Sequence, residues 1–84
     1  MTQQDKEDAR LAVRAFLANR PRASFNASTM AALISGMRLT SDQVADAAAY
    51  WQGFGQVSGE ATEAGATLYF QITTKGIQAH ERGQ

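Results

Sequence analysis

Between positions 40 and 77 the hydrophobic period of the chain changes once, and that change limits what the chain can fold into. Val44, Ala48 and Trp51 recur at i, i+4 and i+7, the spacing of one buried helical stripe. Gly55 stops that helix, and Val57 opens an extended segment. Leu68, Phe70 and Ile72 then alternate with Thr67, Tyr69 and Gln71, which gives a strand one apolar face. Thr40 or Ser41 offers the oxygen that caps the helix, with Asp42 set against its positive end. The pattern predicts a helix from 41 to about 54 and antiparallel strands over 56–62 and 66–73. Glu63-Ala64-Gly65 joins the strands, and a helix over 75–82 begins at Thr73 or Thr74.

The preceding residues supply the rest of a core. Ala9, Ala12, Val13, Phe16 and Leu17 share one face of a helix expected over about 5–19, which Arg20-Pro21 closes. Lys6, Arg10 and Arg14 stand at i, i+4 and i+8 on another face. They read as a solvated stripe laced to Asp5, Glu7 and Asp8, with phosphate contact as the lesser alternative. Residues 22–25 allow only a brief strand beside the later hairpin. Asn26 or Ser28 then caps a second helix with Met30, Leu33, Ile34 and Met37 as its buried stripe and Gly36 and Arg38 at its end. Leu11, Phe25 and Leu68 complete the large side chains expected inside. On the third helix, Gln43, Ala47, Tyr50 and Phe54 form a second stripe, so Tyr50 or Phe54 is expected to remain partly exposed as a contact surface.

Eighty-four residues support a single domain, 1–84, with one modest core. Eight basic and eight acidic side chains cancel, which removes any bulk attraction for nucleic acid or anionic membrane. Residues 1–39 nevertheless carry six basic and three acidic groups, whereas 40–64 carry four acids and no base. With no cysteine, thiol catalysis and Cys-ligated zinc are excluded. The polar N-terminus and the lack of a long apolar run give the expectation of a cytoplasmic protein with no membrane partner. His80 stands alone, Asp42 and Asp46 form only an i, i+4 acidic pair, and Gly53-Phe54-Gly55 lacks the spacing of a phosphate loop. No enzyme activity, metal or cofactor is expected.

Helix, brief strand, helix, helix and hairpin is an order that resembles the winged-helix domain, a helix-turn-helix variant with a β-hairpin wing. Val44, Ala48, Trp51, Gly55 and Val57 match the way such domains end their third helix and enter the wing. The run from Tyr69 through Thr73, Lys75, Gly76 and Ile77 resembles their wing exit. Together these segments cover about half the chain. A looser resemblance, through Gly65-Ala66-Thr67 and Glu81-Arg82-Gly83, is to small proteins of Mu-like phages and prophages.

The resemblance implies an α+β winged helix of three helices, a two- to three-stranded antiparallel wing and a short C-terminal helix. It implies DNA binding, as a phage-encoded regulator or packaging accessory, with the third helix in the major groove. Ser41 and Gln43 are then the base readers. The chain departs from that pattern where it matters, because Asp42 and Asp46 on the third helix and Glu60 and Glu63 on the wing oppose phosphate. Positive charge lies instead at Arg20, Arg22, Arg38 and Lys75, and if these converge, DNA meets the domain through another face with them as its phosphate contacts. The alternative is a winged-helix protein-protein interaction module, or a homodimer, that uses Tyr50 and Phe54.

Overall fold

The structure is a computed structural model that describes residues 2–61 and 68–83. The expected turn at Glu63-Ala64-Gly65, the acidic tip at Glu63 and the Gly65-Ala66-Thr67 segment lie outside the described residues. The order of elements is α1 (Gln3–Ala18), β1 (Phe25–Asn26), α2 (Ala27–Leu33), α3 (Ser41–Gly53), β2 (Val57–Ala61), β3 (Leu68–Ile72) and α4 (Thr74–Glu81). The strands form an antiparallel sheet in the order β1-β3-β2. Phe70 lies opposite both Phe25 and Gly59, and Val57 lies opposite Ile72. This α+β arrangement is compatible with the winged-helix layout.

Each helix begins at a side chain that satisfies its free N–H groups. Thr2 and Asp5 make a reciprocal capping box on α1, and Thr40 and Gln43 make another on α3. Asn26 caps α2 through Thr29, and Thr73 caps α4 through Gly76. Gly55, at φ 73°, closes α3 in a Schellman motif: Gln56 N–H donates to Trp51 O and Gly55 N–H to Gln52 O, both at 3.0 Å. One apolar cluster then joins Val13, Phe16 and Leu17 of α1 to Met30 and Ile34, to Val44, Ala48 and Trp51 of α3, and to Val57, Phe70 and Ile72 of the sheet.

Three expectations about the core are corrected. The second helix ends at Leu33 instead of continuing toward Met37, because Ile34 takes an extended backbone and Gly36, at φ 84°, turns the chain. Ile34 still reaches the core, but the helical stripe does not extend beyond it. Leu33 is therefore exposed and Met37 half-buried. Leu11 falls outside the face of Ala9, Val13 and Phe16, and Leu68 pairs with Ala61 at the last described rung of the ladder. Both remain exposed.

The final corner, between β3 and α4, is drawn tightly against the end of α3. Thr73 N–H donates to Gln56 O at 3.0 Å, and the Thr73 hydroxyl donates to Gly55 O at 2.7 Å. Gly76 is buried against this junction, where a Cβ would fall within the envelope of the Gln56 carbonyl oxygen and 2.7 Å from Ile72 Cγ1. Only a residue without a side chain lets α4 approach so closely.

Candidate functional site

The packing of α1 against α3 creates the surface on which the chemistry of this chain is concentrated. Lys6 and Arg10 line a groove with Gln43, Asp46 and Ala47. Farther along, the Arg10 guanidinium lies 3.9 Å from the Tyr50 ring centroid, and Arg14 lies 4.2 Å from that of Trp51. Arg14 Nη1 also donates to Gln56 Oε1 at 3.0 Å. Residues 6, 10 and 14 thus meet 43–46, 50–51 and 56 in turn, so α1 and α3 run in the same sense.

Here the solvated stripe expected of Lys6, Arg10 and Arg14 is corrected. Arg14 is 1% exposed and Arg10 is half-buried. The physical cause is Trp51, whose indole N–H donates to Arg10 O at 2.7 Å and whose face receives the Arg14 guanidinium. A guanidinium is weakly hydrated and planar, which suits it to an aromatic face better than an ammonium group. Burial lowers the Arg14 pKa from its ordinary value, and among the described residues its Nε has no hydrogen-bond partner. The exposed Arg20 also stacks on a ring of the chain, 4.1 Å from the Phe16 centroid, and donates to Phe16 O.

An aromatic ridge borders the groove. Tyr50 contacts Trp51 and Phe54 edge to face, with ring centroids 4.9 and 5.1 Å apart. Tyr50 is 37% exposed and Phe54 51%, while Trp51 is buried. The second helical stripe read from the sequence therefore opens to solvent at its C-terminal end. On the neighbouring face of α3, Asp42, Asp46, Ala49 and Gly53 are all exposed, and none brings a cation.

The residues assigned to DNA do not form one surface. Arg38 lies with Asp5, Met37 and Gln43 near the start of α3. Ser41 lines a different depression with Asn26, Asp42 and Leu68. Lys75 stands beside Gly55 at the opposite end of α3, about 20 Å away along a 13-residue helix. Arg22 is exposed near β3, where Gln71 Nε2 donates to Pro21 O. Gln43 is half-buried, and its Oε1 accepts the Thr40 N–H at 2.9 Å to complete the cap.

Sequence reasoning named Tyr50 and Phe54 but missed the part of Arg10 and Arg14 in this surface. The signal for it was the matching step of the two helices: arginines at i, i+4 on one and adjacent aromatics on the other. No family model, curated protein or solved structure matches the chain. Among the described residues, no helix is long and apolar enough to cross a membrane, and no group of three or more His, Cys, Asp or Glu side chains is placed to hold a metal ion.

Proposed function

We propose that this chain is a protein-interaction module of winged-helix layout whose binding surface is the α1/α3 face. The observation that carries this reading is the exposed Tyr50–Phe54 ridge beside an α3 face that presents Asp42 and Asp46. Aromatic side chains with little conformational freedom give large contact area at low entropic cost, and they dominate the energetics of many protein interfaces. A DNA-reading helix, by contrast, needs donors aimed at base edges and cations for the flanking phosphates. Arg10, Arg14 and Arg20, three of the eight basic side chains, are stacked on rings of the chain itself. Arg22, Arg38 and Lys75 are dispersed around the fold.

The competing role, duplex DNA binding through Ser41, Gln43, Arg22, Arg38 and Lys75, is separated by titrating the full chain into a fluorescent duplex at low salt. The interaction reading expects a dissociation constant no tighter than about millimolar, weaker than the ~10⁻⁴ to 10⁻⁶ M of ordinary non-specific DNA binders at physiological salt. Submicromolar binding with a steep salt slope, reduced by about one for each of Arg22→Ala and Arg38→Ala, would overturn it.

A further inference from the structure

We infer that the occupant of the α1/α3 face is a second copy of this chain, related by a two-fold axis that runs along the groove between the two helices. This inference rests on the interaction reading and adds the identity of the partner. Lys6 and Arg10 stand on the α1 side of the groove, and Asp46 stands on the α3 side, one turn beyond Asp42. A two-fold axis parallel to the groove exchanges the two sides while preserving level along it. Because α1 and α3 run in the same sense, each copy's Lys6 meets the other copy's Asp46. Opposite charges on the two sides of the groove in one molecule become two equivalent intermolecular pairs in the dimer, as an isologous contact requires.

The same operation brings the two Tyr50–Phe54 ridges to a common level, where the apolar part of the interface forms. The exposed Ala49 and Gly53 add no bulk along α3 that would hold the copies apart. The two helices bound the area of contact. The 16 residues of α1 and 13 of α3 give helices about 24 and 20 Å long at an interaxial distance of about 8–10 Å. Such a face buries roughly 500 Å² per copy, near the lower bound for a specific interface. A contact of this size belongs with weak, reversible associations.

Sedimentation velocity of the full chain from about 1 μM to 1 mM tests this directly. The expected result is a reversible monomer–dimer equilibrium that Tyr50→Ala or Phe54→Ala weakens by about tenfold or more. Lys6→Glu and Asp46→Lys each place like charges across the axis, so each variant alone is shifted toward monomer. Mixed in equal amounts, the two form a heterodimer in which both charge pairs are opposite, and association returns. Circular dichroism of each variant establishes that it is folded before the mixture is read.

A wild-type chain that stays monomeric at about 1 mM overturns the dimer, as does a dimer indifferent to both charge reversals. The duplex titration then separates the two levels of inference. A monomer that also ignores DNA leaves the interaction reading with a different partner, whereas a monomer that binds duplex tightly removes both.

Discussion

Replacing Gly76 with alanine adds one methyl group at the most crowded point of the backbone. The new Cβ would overlap the Gln56 carbonyl oxygen and lie 2.7 Å from Ile72 Cγ1, where ordinary contacts fall at 3.4–4 Å. The oxygen is backbone and cannot rotate away, so α4 must retreat by roughly 1 Å, an overpacking strain of about 1–3 kcal/mol. Retreat also stretches two hydrogen bonds, Thr73 N–H to Gln56 O and the Thr73 hydroxyl to Gly55 O, each contributing about 1 kcal/mol. Against these losses, alanine gains about 1 kcal/mol over glycine in a helix. The strain wins, and Gly76→Ala is expected to destabilise by about 2–4 kcal/mol, which lowers Tm by roughly 10–30 °C for a chain of this size.

The assay is urea denaturation followed by tryptophan fluorescence, with Gly53→Ala as the internal comparison. Gly53 ends α3 with an unstrained backbone, and a Cβ there meets nothing within 4 Å. That substitution is expected to stabilise by about 0.5–1 kcal/mol. If Gly76→Ala is neutral or stabilising like Gly53→Ala, α4 does not approach Gln56 as described, and the account of this corner is wrong.

Arg14 divides two further substitutions. Arg14→Met keeps the volume against Trp51 while removing a buried cation, so lost stacking and hydrogen bonding are offset by relief of desolvation. Stability should change by no more than about 1 kcal/mol. Arg14→Ala leaves a cavity beside Trp51 and should cost about 2–4 kcal/mol, both measured by urea denaturation. Asp5 predicts the acid response of α1. The Thr2 backbone N–H, and secondarily its hydroxyl, holds the exposed Asp5 carboxyl below the ordinary value of 3.8. Its folded pKa being depressed, the stabilisation is complete above the unfolded value and is lost as pH falls through the folded one. An NMR titration of Asp5 should show the low midpoint, and Thr2→Ala, which removes the hydroxyl but keeps the backbone N–H, should return it only part of the way toward 3.8.

Local signals carried most of the fold. The caps at Asn26, Thr40 and Thr73 and the stop at Gly55 lie within a few residues of the groups they satisfy, so the sequence pattern contains both partners. Alternation through Phe70 and Ile72 likewise placed the apolar face of β3. Leu33 and Met37 were misread because a helical stripe is defined only while the helix continues, and Ile34 leaves it. Leu68 was misread because period identifies the face of a strand, whereas burial also depends on how far along that strand the helices extend.

The legible part of the binding surface differs from the illegible part for the same reason. Tyr50 and Phe54 could be named because their exposure follows from the angular width of one helix, once Val44, Ala48 and Trp51 have taken its buried side. Arg10 and Arg14 could not, because charge at i, i+4 spacing is solvated unless another element offers an aromatic face at the matching step. Trp51 and Tyr50 offer it from more than thirty residues away. That long-range match alters the electrostatics as well as the packing. It commits to the α1/α3 seam cations that the sequence left available for phosphate, and it ties the aromatic ridge to α1. The surface most able to bind is therefore one that pairs rings with positive charge beside Asp42 and Asp46. A polyanion such as DNA meets those acids on the face where it would need cations, whereas a protein face of alternating sign can satisfy both sides of the groove.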